Sequence, residues 1–180
     1  EHGYSLRMRK CGRLSCPTCR DSAIARAAKR AVERIEGLME AYEREGLRLG
    51  PITHCHLSPP PDSPLFTPEA LNTKEGYNRA FEEARKKLKR YCRGYGGVLI
   101  LHPWRQIHLD GSKCGRHDCQ KEHTWTWSPH FHFVGVGWWT KSDEVYQQTG
   151  WVYSKFGYGV KKRRDVDERQ RSLYNTLHYE

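Results

Sequence analysis

The chain has 180 residues, enough for one domain with a buried core, or for one domain carrying small appended modules. It has 31 Lys and Arg against 21 Asp and Glu, and the net charge of +10 favours nucleic acid over an anionic membrane as partner. The alternative is a solvated basic surface without a polyanionic partner. It has no apolar run of about 18 residues and no secretory signal pattern, so we expect a cytoplasmic protein without a membrane partner.

The first half of the chain predicts a short cysteine-rich segment, a long helix, a strand and a second helix. Residues 1–20 lack a sustained period and predict a zinc knuckle, ahead of a main domain over 21–180. An amphipathic pattern runs from Asp21, a plausible N-cap, to Gly46. Residues 52–58 alternate in polarity before a proline-rich loop. Thr67 and the proline after it start a helix that reaches Cys92 and is closed by glycines at 94, 96 and 97.

The second half predicts two core strands, over 97–102 and 129–139, separated by a polar insertion that spans 107–127. A short helix follows to about Gln148, then a strand or hairpin over 151–160 and a final helix from about Asp165. This order of elements indicates an α+β fold with an antiparallel sheet flanked by helices.

His130 and His132 form the sharpest candidate metal site. Strand alternation sends both imidazoles to one face, with Phe131 on the other. The adjacent strand ends at His102, which supplies a third ligand and leaves open positions for water or a phosphate oxygen. The alternative is that all three are ordinary histidines of a polar or core position.

Two cysteine clusters have the spacing of structural zinc sites. The first contains Cys11, Cys16 and Cys19, with His2 as the visible candidate for a fourth ligand. The second joins cysteines of the insertion to flanking histidines, with His117 competing for the position of His108. Its members are His108, Cys114, Cys119 and His123. Free cysteines are the alternative for both clusters, and Cys55 and Cys92 are interpreted as small core residues.

Aromatic and basic residues near these sites favour a single-stranded nucleic acid. Trp104 and Arg105 directly follow His102, and other tryptophans alternate with basic residues nearby, although about half of the tryptophans are expected in the core. A run of basic residues precedes the final helix and is expected to bind phosphates. A solvated loop would have the same composition. The run consists of Lys161, Lys162, Arg163 and Arg164.

Four segments in this order resemble the HUH endonucleases, and among them the replication proteins of archaeal plasmids and viruses. They are HLSPP at 56–60, GGVLILHPWR at 96–105, SPHFHFVGVGW at 128–138 and YNTLHYE at 174–180. The resemblance covers most of the chain, including the cysteine-rich segment CGRLSCPTC at 11–19. The ordered set is much more specific than the histidine pair alone.

The resemblance implies a rolling-circle replication initiator on a ferredoxin-like sheet, in a prokaryotic and archaeal setting. His130, His132 and His102 are then expected to hold Mg²⁺ or Mn²⁺ against the scissile phosphate of single-stranded DNA at an origin. A tyrosine is expected to form a 5′-phosphotyrosine, and Tyr179 is preferred to Tyr174 for this role. The two are about 140° apart on a helix and cannot face the metal equally. A helicase or host replication proteins are expected partners.

Two other functions fit parts of the pattern. A noncatalytic zinc-knuckle protein that binds nucleic acid would use the cysteine clusters and leave the histidine pair as sheet residues. A single-tyrosine HUH transposase shares the order of motifs but usually lacks the cysteine-rich start. A conjugative relaxase fits less well, because such proteins usually have three clustered histidines and an N-terminal tyrosine.

Overall fold

The computed structural model of the chain describes residues 20–112, 114 and 119–155. Most of the predicted zinc knuckle and all of the predicted final helix lie outside these residues. The described elements, in chain order, are α1 (Arg20–Arg44), β1 (Ile52–Ser58), a 3₁₀ turn (Pro64–Phe66), α2 (Pro68–Leu71), α3 (Lys74–Tyr91), β2 (Cys92–His108), β3 (His123–Trp139), α4 (Ser142–Thr149) and β4 (Val152–Lys155).

The predicted α+β class is confirmed. Four strands form one antiparallel sheet in the order β2-β3-β1-β4, so β3 and β1 are the central strands. Helices flank the sheet. None of the described helices combines the length and apolarity needed to cross a bilayer.

The predicted helices that fall within the described residues are present, with two differences. α1 starts at Arg20, so Asp21 lies in its first turn and is not the N-cap. The helix expected from Thr67 to Cys92 is divided: the Thr67 hydroxyl accepts from the amide of Ala70 and caps α2, and the Thr73 hydroxyl accepts from the amide of Gly76 and caps α3. The expected glycine stop was wrong, because the strand β2 begins at Cys92 and contains those glycines.

β2 and β3 are much longer than the sequence pattern predicts, at 17 residues each. They pair from Cys92 with Trp139 at one end to His108 with His123 at the other, with register shifts near Arg93 and near Pro103. Of the predicted insertion over 107–127, the ends therefore belong to the two strands. The connection between them spans residues 109–122.

Helices pack on both faces of the sheet. On one face, α3 and α4 contribute Leu88 and Val145 to a core with Phe131 and Phe133 of β3. On the opposite face, α1 contributes Ile35 to a second core that contains Val134 of β3. The predicted packing of the long helix on a sheet is thus confirmed, and α1 covers only part of its face.

Candidate metal centres

Five histidines of three adjacent strands share the face of the sheet on which α1 packs. β1 supplies two of them, β2 one and β3 two; they are His54, His56, His102, His130 and His132. The strand register brings them together, because His56 is paired with His132 and His102 with His130. Residues paired across an antiparallel ladder lie on the same face.

The histidines begin where the apolar core on this face ends. On β3, His130 and His132 come directly before Val134 and Val136 on the same face. On β1, Ile52 precedes the histidine pair in the same way, and on β2, Ile100 precedes His102. α1 covers the apolar half, and the imidazoles form the other half.

His132 lies at the centre of the cluster. Its ring centroid is 3.9 Å from that of His56, 4.3 Å from that of His102, 5.0 Å from that of His130 and 5.2 Å from that of His54. Its Nδ1 is 3.0 Å from Nε2 of His54. His130 and His132 are buried, at 4% and 7% exposure, and the other three are half-buried.

The protonation of His130 is set by the backbone. Its Nδ1 lies 2.7 Å from the carbonyl oxygen of Ser128. Because a carbonyl only accepts, Nδ1 must carry the proton and donate it, which leaves the lone pair of Nε2 for a metal. Histidine ligands of metals are commonly fixed in this way by a hydrogen bond at the other ring nitrogen.

Two of the imidazoles are held in their neutral form. Burial, and after it the charges of the neighbouring histidines and of Arg105, lower the pKa of His56 and of His132 to about 2. The neutral imidazole is the form that binds a metal, so protons do not compete for these two side chains near neutral pH.

Two groups of three histidines have donor atoms close enough for one ion each. The first group is His102, His130 and His132, and the second is His54, His56 and His132. Within each group the three donor atoms all lie within 4.8 Å of one another. The first is the set predicted from sequence. The second was missed, although His54 and His56 alternate along β1 just as His130 and His132 alternate along β3.

Arg105 and Trp104 lie next to the cluster along β2. Arg105 follows His102 by three residues on β2, and its positive charge helps to lower the pKa of His56 and of His132. Trp104 is half exposed and contacts the ring of Trp127 edge to face at 5.1 Å. The indole N–H of Trp127 donates to the carbonyl of Phe66, so Trp104 rests on an anchored ring.

The predicted second zinc site comes together at the far end of the β2–β3 hairpin. The paired residues His108 and His123 close the two strands, and Cys114 and Cys119 come from the connection. All four donor atoms lie within 4.8 Å of one another. The structure therefore brings together the two cysteines and two histidines that the spacing predicts.

The hairpin cluster has the features of a tetrahedral site. Nε2 of His108 lies 3.5 Å from Sγ of Cys119, while Nδ1 of His108 is 3.1 Å from the Ser112 hydroxyl, which can fix the ring. Among the described residues, Nε2 of His123 is buried and has no hydrogen-bond partner. A buried polar atom without a partner is costly, and a metal would satisfy it.

Several predicted site residues lie outside the described part of the chain. They are the first zinc cluster and its competitor for the second (His2, Cys11, Cys16, Cys19, His117), the basic run (Lys161, Lys162, Arg163, Arg164) and both candidate nucleophiles (Tyr174, Tyr179). For these residues the sequence predictions stand as made.

Cys55 and Cys92 are core residues, as predicted. Both are fully buried, and burial raises the pKa of the Cys55 thiol and raises that of Cys92 to about 12. Such thiols remain protonated and unreactive.

Comparison of the chain with known protein families, with curated proteins and with solved structures gave no significant match.

The two neutral histidines predict that the metal-free protein loses stability in mild acid. The unfolded chain takes up protons at these side chains as the pH falls through about 6.5, whereas the folded protein does not until about 2. Stability is thus fully present above about 6.5 and decreases below it. We expect the midpoint of urea unfolding, measured with chelator present, to be lower at about pH 5 than at about pH 7.

His132→Gln should flatten this dependence on pH. Asp110→Asn is the matched control, because the pKa of Asp110 is lowered from 3.8 and its titration lies below the tested range. Equal midpoints at the two pH values in the wild type would contradict the burial of neutral imidazoles.

The hairpin site predicts one bound zinc ion that depends on its cysteines. We expect Cys119→Ser to lose one equivalent of zinc, measured by mass spectrometry of the metal, and to increase amide hydrogen exchange near His108 and His123. Cys92→Ala is the control, because it removes a buried thiol of the core and should retain the metal. A Cys119→Ser protein with unchanged zinc content would exclude this site.

Proposed function

We propose that this chain is a metal-dependent HUH-type endonuclease, which nicks and rejoins single-stranded DNA and initiates rolling-circle replication of a plasmid or virus. The observation that carries the proposal is the convergence of His102, His130 and His132 from adjacent strands, in a chain with a net charge of +10. These are the positions that the family resemblance assigns to the metal.

The strand order supports the proposal. β1 and β2 are connected through α2 and α3, β3 and β4 through α4, and the sheet order is β2-β3-β1-β4. This order is the one that two interleaved units of a β-α-β-β-α-β, ferredoxin-like fold would give, and such a fold is what the resemblance implies. In this arrangement the histidine pair lies on a central strand.

The donor set bears on the choice of metal. Imidazole nitrogens suit transition ions, whereas Mg²⁺ prefers oxygen ligands and keeps its waters. We therefore favour Mn²⁺ or another transition ion over Mg²⁺ for the group of His102, His130 and His132. When bound, such an ion would neutralise negative charge on the nonbridging phosphate oxygens and orient the phosphate.

Neighbouring side chains suit a DNA strand. Arg105 offers a guanidinium close to the histidines, which suits a backbone phosphate adjacent to the scissile one. Trp104 presents a half-exposed ring on which an unpaired base can stack. The basic run at 161–164 would add phosphate contacts.

The reaction is a transfer of the phosphate between two oxygens. The hydroxyl oxygen of Tyr179, or of Tyr174, forms a bond to the scissile phosphorus, and the bond from phosphorus to the 3′ oxygen breaks. The tyrosine proton passes to solvent or to a base, and the 3′ oxygen leaves as a hydroxyl that can prime synthesis. We propose an origin in single-stranded form as substrate, and a helicase or host replication proteins in a prokaryotic cytoplasm as partners.

A noncatalytic zinc protein that binds nucleic acid is the second candidate. It is favoured by the hairpin cluster of two cysteines and two histidines, which requires no catalysis. A single-tyrosine transposase would share the proposed chemistry and differ in the DNA recognised.

The proposal predicts a covalent adduct between protein and DNA. Incubation with labelled single-stranded DNA and Mn²⁺, followed by a denaturing gel, should reveal an adduct that Tyr179→Phe and His130→Gln reduce at least about 100-fold. If Tyr174 is the nucleophile, Tyr174→Phe will abolish the adduct instead. Tyr146→Phe, which alters an exposed tyrosine on α4, is the control and should leave the yield unchanged.

DNA binding without an adduct, on several oligonucleotides that include candidate origins, would overturn the nuclease proposal and favour the noncatalytic candidate. An adduct that survives both tyrosine substitutions would reject the assignment of the nucleophile.

The surface beside the histidines predicts a local effect on binding. We expect Trp104→Ala to weaken binding of single-stranded DNA by about 1–3 kcal/mol, the usual worth of one stacked base, in a fluorescence anisotropy titration. Trp138→Ala is the matched control, since Trp138 is equally exposed but pairs with Arg93 at the other end of the hairpin. Equal losses in both variants would show that the effect is not specific to the site.

A further inference from the structure

The histidine face contains more donors than one catalytic ion requires. A catalytic metal site typically uses three protein ligands and keeps a position open for water or substrate. His102, His130 and His132 already supply three. His54 and His56 extend the cluster along β1 and have no assigned role.

His54 and His56 are placed to bind a metal themselves. They alternate on β1 and point to the same face, and their ring centroids are 5.8 Å apart. Together with His132 they bring three donor atoms within 4.8 Å of one another, the same limit that the first group meets.

One distance within this second group is close to that of ligands on a shared ion. Two nitrogens bound to one tetrahedral ion at about 2.0–2.1 Å are about 3.3–3.4 Å apart. Nε2 of His54 and Nδ1 of His132 are 3.0 Å apart, so a small movement would accommodate an ion between them. In the absence of metal the same two atoms share a proton.

His132 belongs to both groups. A neutral imidazole has one nitrogen lone pair and binds one ion, whereas an imidazolate, formed when the other ring nitrogen releases its proton to solvent, can bind one ion at each nitrogen. Nδ1 of His132 faces His54, on the β1 side, and its ring stacks on that of His102, on the β2 side. The residue that connects the two groups is therefore also the centre of the cluster.

We propose that the histidine face is a two-metal centre, with a second transition-metal ion held by His54, His56 and His132 beside the ion of His102, His130 and His132, and with His132 as an imidazolate between the two. The second site binds a divalent transition ion such as Zn²⁺, since all of its donors are imidazole nitrogens.

The charge of such a centre identifies its third component. Within the described residues, neither histidine group includes a carboxylate, and Arg105 adds a further positive charge nearby. Two divalent ions in this setting need an anion for charge balance. An oxyanion such as a phosphodiester would supply this charge and complete the centre.

Metal content measured on paired variants tests this proposal. The full chain would be dialysed against Zn²⁺ and its metal content measured for the wild type, His54→Gln/His56→Gln and His102→Gln/His130→Gln, all of which retain His132. Each double variant should lose one equivalent relative to the wild type, and a variant that combines all four substitutions should lose two, whereas a single ion shared by both groups would give a loss of one in all three variants. Zinc bound at the cysteine clusters is the same in all of these proteins and does not affect the differences between them. The Cys114→Ser/Cys119→Ser variant should lose the hairpin ion and keep the ions of the histidine face.

Loss of metal only in the His102→Gln/His130→Gln variant would overturn the proposal and leave His54 and His56 as positioning residues that hydrogen-bond to His132. Circular dichroism verifies that each variant is folded. If a variant is not folded, electron paramagnetic resonance of the wild type loaded with Mn²⁺ decides: a spin-coupled pair supports two adjacent ions, and isolated Mn²⁺ at every loading overturns the proposal.

These measurements do not depend on DNA cleavage. A protein with two ions on the histidine face and no nicking activity would contradict the proposed nuclease function and support the two-metal centre, so the two proposals can fail separately.

Discussion

The register between β3 and its two neighbours is the constraint on which the rest of the structure depends. It sets His132 opposite His56 and His130 opposite His102, and it places Phe131 and Phe133 on the other face. Because side chains alternate along a strand, a shift of one residue would move the imidazoles into the core under α3 and bring those phenylalanines out. The apolar residues therefore stabilise the register, and the register in turn assembles the histidines.

This arrangement gives one face of the sheet two different environments. Where α1 covers it, the face is a core built on residues such as Ile35 and Val134. Beyond the helix it is polar, and the close packing of imidazoles there disfavours their protonation. Because these bases are kept free of added protons, their lone pairs remain able to bind a cation, and a metal ion that accepts them would stabilise the folded cluster.

Local patterns in the sequence located the described helices, although not the break between α2 and α3, and identified part of the site. The period of α1, the cap at Thr67 and the alternation around His130 all depend on residues close in sequence. The length of β2 and β3 was not predictable, because polar segments such as 104–108 become strand only through pairing with a partner. The alternation of His54 and His56 can be read from the sequence. Their approach to His132 cannot, because it depends on strand pairing between residues as much as 78 positions apart.

The hairpin and the histidine face differ in how far apart along the chain their parts lie. β2 and β3 are joined by a short connection, so they can pair early, and the cluster at the end of the hairpin is complete as soon as they do. β1 is separated from β3 by α2, α3 and the whole of β2, so it must close a much longer loop to dock beside β3. Metal at the hairpin would thus mark the first paired strands on the folding pathway, whereas the histidines of β1 meet His132 only when the sheet is complete.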